Sequence, residues 1–303
     1  MCAKLRQPPY AALLLDVLVP MMLRLPDDSG AWEEAEPDGG LARGDGGDDD
    51  ESEAVNAQEG LDRLGAALDG EGVGALLLTR LGALPPAAAW KQTHVATVAV
   101  AIAAEHCPAT LAPHLPAVVA RLGEAARAAE ARVRWAALFA LAVLAEEFEE
   151  LASEHAPSLL PLLVAGLADA APRVHASAAV ATAALGAQLR RDALLAHAPP
   201  LLRALHALLA APATRDYVVG AAAAALAAVC ARAGGAAVPM GLMPLLRQRL
   251  AHAAARGAAP LVGRLVEAVG ALSTDGRSTR DLARRTRLGL FACRGFIVCV
   301  YVL

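Results

Sequence analysis

Aromatic side chains are scarce in this chain: three Trp, three Tyr and four Phe make up 3% of 303 residues. A core must therefore be filled by aliphatic groups, and Ala and Leu dominate a composition that is 56% hydrophobic. β-Branched residues are sparse outside a few recurrent positions, which argues against a sheet protein, whereas Ala is the best helix former. An Ala-rich core buries less apolar area per residue, at about 25 cal/mol per Å², so a compliant assembly is expected. Cysteine is equally thin. Cys2, Cys107, Cys230, Cys293 and Cys299 show neither a disulfide framework nor a CxxC pair, which fits a reducing compartment. No apolar run approaches the roughly 20 residues needed to span a bilayer, so no membrane association is expected. Leu13–Leu25 is the most leader-like stretch, but its interior Asp16 and Pro20 favour a helix of the fold. Lysine occurs only at Lys4 and Lys91, so Arg carries nearly all the positive charge, an excess ascribed as much to genomic composition as to guanidinium chemistry.

Catalytic patterns are missing too. The eight His residues form no ligand set, and neither HExxH nor paired Cys/His spacing occurs. No Ser-His-Asp order, no Gly-rich phosphate loop after a strand and no convincing carboxylate pair is present. An enzyme is not expected, nor a metal or cofactor. His94 is read as a structural contact near a repeat junction.

What the chain does have is one phrase written at least three times. It reads WKQTHVATVAVAIAAEHC at Trp90–Cys107, ARVRWAALFALAVLAEEF at Ala131–Phe148 and PRVHASAAVATAALGAQL at Pro172–Leu189. Each copy opens with Trp or Val followed by a basic residue or His, then runs on as about four turns of Ala-rich helix. The openings lie 43 and 41 residues apart, and a fainter copy starts at Thr214. That period is the signature of stacked two-helix repeats of the HEAT or armadillo kind, which bury their apolar faces only by stacking. The fold class is therefore all-α, a HEAT-repeat superhelical solenoid of about five to six repeats.

Taken in order, residues 1–26 carry a first repeat helix, with Leu13, Val17, Met21 and Leu25 recurring at i+4 steps as its apolar face. Residues 27–53 form an acidic loop, expected to be disordered because it cannot bury enough apolar surface, with Trp32 its only large apolar residue. A helix resumes near Ser52, with Leu61, Leu64 and Leu68 on one face. Residues 54–273 hold the solenoid. Its helix pairs are Gly74–Leu84 with Trp90–His106, Leu111–Leu122 with Val133–Phe148, Pro157–Leu167 with Val174–Leu189, Leu194–Leu209 with Tyr217–Ala231, and Val238–His252 with Pro260–Leu272. Pro113, Pro157, Pro199 and Pro200 are placed at or near first-helix starts, where a missing N–H does no harm. Asp169 and Asp192 sit at turns or helix starts as capping acceptors. Residues 274–303 form an Arg-rich linker and a non-repeat tail, read as foreign to the solenoid. The alternatives for this end are an irregular capping helix, or for Arg277–Arg287 a nucleic-acid-binding segment or localisation signal, with a merely soluble tail preferred.

Charge is distributed unevenly. Thirteen Asp or Glu and one Arg lie between Asp27 and Glu59, while the rest of the chain is net +8 within an overall −4. A second acidic cluster, Glu146, Glu147, Glu149, Glu150 and Glu154, closes the expected helix Val133–Phe148, where Glu146, Glu149 and Glu150 are expected on one face. It reads either as a receptor for Lys or Arg side chains or as an exposed helix end. Trp90 and Trp135, in the opening turns of successive second helices, are read as packing groups rather than exposed anchors.

These motifs together resemble the importin-β (karyopherin-β) superfamily, and most its importin beta-three branch. An acidic loop with an embedded Trp32 is followed by Gly60-Leu61-Asp62-Arg63-Leu64, similar to that branch's small-residue segment. The next helix opens Trp90-Lys91 with His94 and closes Glu105-His106-Cys107. The following two match at Val133-Arg134-Trp135-Ala136-Ala137 and Pro172-Arg173-Val174. The match runs from about Tyr10 to Ala231; Ala131 stands where the family usually has Pro. Such receptors are longer, so a central segment is expected, without the N-terminal repeats that hold most of the family's Ran-GTP contact.

The resemblance implies a nuclear transport receptor that binds basic nuclear-localisation-signal cargo, Ran GTPase and nucleoporins, and shuttles between cytoplasm and nucleus. No direct nucleic-acid contact is expected. The candidate cargo and partner residues are Asp27, Asp28, Trp32, Glu33, Glu34, Asp48, Asp49, Asp50, Glu105, Glu146, Glu149 and Glu150. Two rivals are a HEAT scaffold of the phosphatase-subunit or coat-adaptor kind, and a HEAT-like chromophore lyase. The Trp-bearing acidic loop weighs against the first, and the 41–43-residue spacing weighs against the second.

Overall fold

A computed structural model describes residues 8–27, 30–34, 49–68, 72–83, 89–234 and 239–273. Among them only helices and turns occur, with no strand. The tail after Ser273 lies outside the described residues. The chain divides into two compact units, Met1–Phe148 and Glu149–Leu303.

The first unit holds α1 (Pro8–Met22), α2 (Gly30–Glu34), α3 (Asp49–Ala67), α4 (Val73–Ala83), α5 (Trp90–His106), α6 (Pro108–Leu111), α7 (Leu115–Ala125) and α8 (Ala131–Glu147). α3 packs on α5 and α5 on α8, while α1, α4 and α7 cover them. The expected helix Leu111–Leu122 is broken into α6, a 3₁₀ turn at Ala112–His114, and α7. Pro113 falls in that turn, and Pro116 stands in the first turn of α7, where no donor is missed.

α1 corrects the sequence reading of its faces. Leu13 and Val17, assigned to the core, are 61% and 51% exposed, and Ala11, Leu15, Val19 and Met22 are buried instead. The helix is apolar all round, so periodicity alone could not choose a face. The expected loop 27–53 is also partly helical, since α2 and the first turn of α3 fall within it. Leu61, Leu64 and Leu68 are all buried, as their spacing required.

The second unit is regular. α9 (Glu149–Leu167), α11 (Arg191–Ala210) and α13 (Leu242–Ala255) pack in one row, and α10 (Pro172–Gln188), α12 (Asp216–Ala233) and α14 (Ala259–Ser273) in another. α9 starts eight residues before the expected Pro157, so Pro157 and Pro161 are interior, as are Pro199 and Pro200 in α11. Pro157, Pro161 and Pro199 are exposed, where water can take the carbonyl each proline orphans. α11 and α12 are long and apolar enough to cross a membrane by length and composition, contrary to the expectation that no run is; 67% of the α12 window is buried within the fold.

Arginine has a repeated task here. Helix ends leave carbonyls unsatisfied and carry partial negative charge. Arg232 Nε donates to Leu189 O beyond α10 (2.8 Å), Arg191 Nε to Ala233 O at the end of α12 (3.1 Å), and Arg249 Nε to Leu209 O in the last turn of α11 (2.7 Å). Arg232 and Arg249 thus cap helices of the preceding repeat and Arg191 a helix of its own, a structural use for part of the Arg excess. Asp169 caps as expected, its carboxylate accepting from Ala171 N at 2.9 Å. Asp192, in the first turn of α11, pairs with Arg190 and accepts from Ala193 N, and both hold its carboxyl below the usual range.

Ala spacing sets how close the second helices approach. Ala137 and Ala178 are fully buried at corresponding positions of α8 and α10. Ala→Leu at either is expected to overpack and cost roughly 1–3 kcal/mol in chemical denaturation. A neutral result at both would show that these positions do not set the helix separation.

Candidate functional site

The three tryptophans, 58 and 45 residues apart in the chain, gather in the first unit around one histidine. Trp135 in the opening turn of α8 meets Trp32 of α2 edge-on at 6.2 Å, stacks on His94 at 6.1 Å and stacks on Phe139 at 5.6 Å. Trp90, opening α5, lies edge-on to His94 at 6.5 Å. Trp32 is 5% exposed, so the tryptophan inside the acidic segment is packed into the fold. Aromatic pairs at these separations contribute about 0.5–1.5 kcal/mol beyond area burial.

Arg132 ties the segment down. Its side chain is 2% exposed, and its guanidinium lies 4.0 Å from the Trp90 ring centroid. Nη1 donates to Pro26 O at 2.8 Å, Nη2 to Asp27 O at 3.1 Å, and Nε to Glu130 Oε1 at 3.0 Å. Lys91 Nζ adds an ion pair to Asp27 Oδ1 at 2.9 Å. The root of the acidic segment is thereby fastened to the first turns of α5 and α8. Sequence reasoning named Trp32 and Asp27 but missed Arg132, whose role depends on carbonyls about 105 residues away.

His94 is buried and bonded through Nδ1 to Arg132 O at 3.1 Å. A carbonyl only accepts, so Nδ1 carries the proton of the neutral ring. Burial is the main cause that lowers its pKa to about 4. A small cleft beside it is lined by Met22, Leu25, Trp32, Gln58 and Arg132.

The other candidates scatter. Glu33 is half-buried on α2, while Glu34, Asp49, Asp50 and Glu150 are placed by their helices alone. Asp28 and Asp48 lie outside the described residues. Glu105, near the end of α5, stands 4.0 Å from His106 Nε2. The single acidic face assigned to Glu146, Glu149 and Glu150 needs correction. α8 ends at Glu147, Phe148 is an extended C-cap (φ −123°, ψ 100°), and Glu149 starts α9, so no one helix carries all three. Glu146 is half-buried and Glu149 exposed.

Among described cysteines, Cys107 and Cys230 are buried free thiols. Burial pushes both up in pKa, Cys230 to about 12, so neither is a ready nucleophile.

The HEAT-like repeat family matches residues 131–182, from the start of α8 into α10. No curated protein sequence matches the chain. Solved structures do. The karyopherin Kap121p bound to the extreme C-terminus of the protein phosphatase Cdc14p superposes with TM-score 0.74 at 22% identity, over 95% of this chain and 27% of that one. Kap121p bound to Nup53p gives the same values. Kap121p bound to the SUMO protease Ulp1p gives TM-score 0.72 at 22% identity, over 96% and 28%. The chain thus spans little more than a quarter of the length of these karyopherins, and its fold is that of a karyopherin-type HEAT-repeat solenoid.

Proposed function

We propose that the chain is a segment of a nuclear transport receptor of the importin-β superfamily, importin beta-three branch, and that it binds Lys/Arg-rich segments of cargo proteins. The observation that carries this reading is the join of two features. The fold matches karyopherins solved with protein ligands, and an acidic segment is fastened at its root to α5 and α8 by Arg132, Lys91 and Trp32. Nothing in such a task calls for bond chemistry; it needs differential binding between states of a compliant repeat array. In this reading Ran GTPase drives release, nucleoporins are transit partners, and the receptor shuttles between cytoplasm and nucleus.

Within the proposal, carboxylates draw in the basic segment and raise its association rate. Those of the acidic segment (Asp27, Asp28, Glu33, Glu34, Asp48, Asp49, Asp50) act as a tethered polyanion that competes with it. Glu105, Glu146, Glu149 and Glu150 supply acceptors on the repeats themselves. Titration of a labelled Lys/Arg-rich signal peptide tests the assignment. Charge reversal of Glu146, Glu149 and Glu150 is expected to weaken binding at least about tenfold, roughly 1.4 kcal/mol, and higher salt to weaken the wild-type complex. Replacing Asp28, Glu33, Glu34, Asp48, Asp49 and Asp50 by their amides should leave affinity unchanged or strengthen it. Equal affinity for wild type and the reversed-charge variant would instead favour a passive HEAT scaffold.

A further inference from the structure

Asp62, Glu105 and His106 bring three donor atoms of metal-binding type together, all within 4.8 Å of one another. They come from two helices: Asp62 from the middle of α3, Glu105 and His106 from the last turn of α5. His106 Nε2 stands 2.8 Å from Asp62 Oδ1 and 4.0 Å from Glu105 Oε2. Donors sharing one tetrahedral Zn²⁺ at about 2.0–2.2 Å from the ion lie about 3.3–3.5 Å apart. The two separations from His106 bracket that value, and the Asp62–Glu105 side lies within 4.8 Å, within reach of small side-chain rotations.

Three further features suit a cation at this cluster. The first is charge. Two carboxylates meet beside the C-terminal end of α5, whose own partial charge is negative. The second is accessibility, for the side chains are 38%, 20% and 14% exposed for Asp62, Glu105 and His106. An ion can enter, yet the ligands are partly withdrawn from water. The third is ring placement. A Cβ at Gly65 would lie 2.6 Å from His106 Cδ2 and 2.9 Å from Cγ. Only a residue without a side chain lets the imidazole lie against α3 with Nε2 turned to Asp62.

We propose that Asp62, Glu105 and His106 form a binding site for one divalent cation of the Zn²⁺ class, with a remaining position open to water. Nitrogen and carboxylate donors of this mix suit Zn²⁺ or Co²⁺ better than Mg²⁺ or Ca²⁺, which prefer all-oxygen shells. The bound ion would clip α3, the helix that follows the acidic segment, to α5. The site does not depend on the transport reading.

The test titrates the full chain with ZnCl₂ against a chelating indicator, and with CoCl₂ followed by visible absorption. One Zn²⁺ per chain is expected, with a Co²⁺ spectrum lacking thiolate charge transfer even though Cys107 adjoins His106. Asp62→Asn, Glu105→Gln and His106→Gln should each weaken Zn²⁺ binding more than about tenfold. Zn²⁺ should raise the thermal midpoint of the wild type and not of His106→Gln. Circular dichroism confirms that each variant is folded; should one unfold, the two remaining variants decide. Wild-type binding no tighter than that of the variants would overturn the proposal, leaving an Asp62–His106 ion pair. A thiolate band would also overturn it, by moving the ion to Cys107.

Discussion

Arg132→Met is expected to lower the unfolding free energy of the first unit by about 2 kcal/mol, the loss of a few hydrogen bonds made by one buried guanidinium to half-buried and exposed acceptors. The substitution keeps a long apolar stem over the Trp90 ring. It removes the three donors that satisfy Pro26 O, Asp27 O and Glu130 Oε1. Pro26 and Glu130 are half-buried and Asp27 is exposed, and Glu130 Oε1 still accepts from Arg132 N, so water and the backbone take up part of the loss. Arg132→Lys should lose most of the same energy, because an ammonium cannot reproduce the planar fork that spans two carbonyls and a carboxylate. All three tryptophans belong to this unit, so their fluorescence during urea denaturation reports on it selectively. A loss below about 1 kcal/mol for Arg132→Met would show that the root of the acidic segment is not held by this residue.

Acid should destabilise the same unit through His94. Its pKa is about 4 when folded against 6.5 ordinarily, so between those values the unfolded chain holds a proton the folded chain lacks. Stability contributed by the neutral ring is complete above pH 6.5 and is lost as pH falls to about 4. At about 1.4 kcal/mol per pKa unit the full loss is about 3 kcal/mol. His94→Gln, which can still donate to Arg132 O, should flatten this dependence while carboxylate effects remain. Denaturation of both proteins at pH 7.5, 6 and 4.5 checks it. Parallel curves across that window would mean that His94 titrates as an ordinary exposed histidine.

Much of the fold was legible because the repeated phrase marks second helices directly. Trp90–His106 matches α5 residue for residue, and α8 and α10 begin within two residues of their expected starts. First helices were harder to bound. α9 and α11 carry interior prolines on solvent-facing turns, a position that looks like a helix start when only the chain is read. α1 misled because both of its faces are apolar.

The site was legible only in pieces. Trp32, Trp90 and Trp135 were each noticed, but their meeting at His94 required the packing of α2, α5 and α8. One signal was available and unused. His94–Arg132, His106–Asp62, Arg191–Ala233, Arg232–Leu189 and Arg249–Leu209 are contacts 38 to 44 residues apart, one repeat period. In a stacked array, polar groups one period apart are the first partners to try. The acidic face failed for a local reason: a helical register was carried through Phe148, where the backbone is extended.

Amide hydrogen exchange of the full chain, with and without a saturating Lys/Arg-rich signal peptide, tests the central claim most directly. A receptor whose acceptors are Glu105, Glu146, Glu149 and Glu150 should gain protection in the last turn of α5 and around residues 146–150. That protection should fade at high salt and in the Glu146, Glu149 and Glu150 charge-reversal variant. Unchanged exchange in all these segments under saturating peptide would contradict the account.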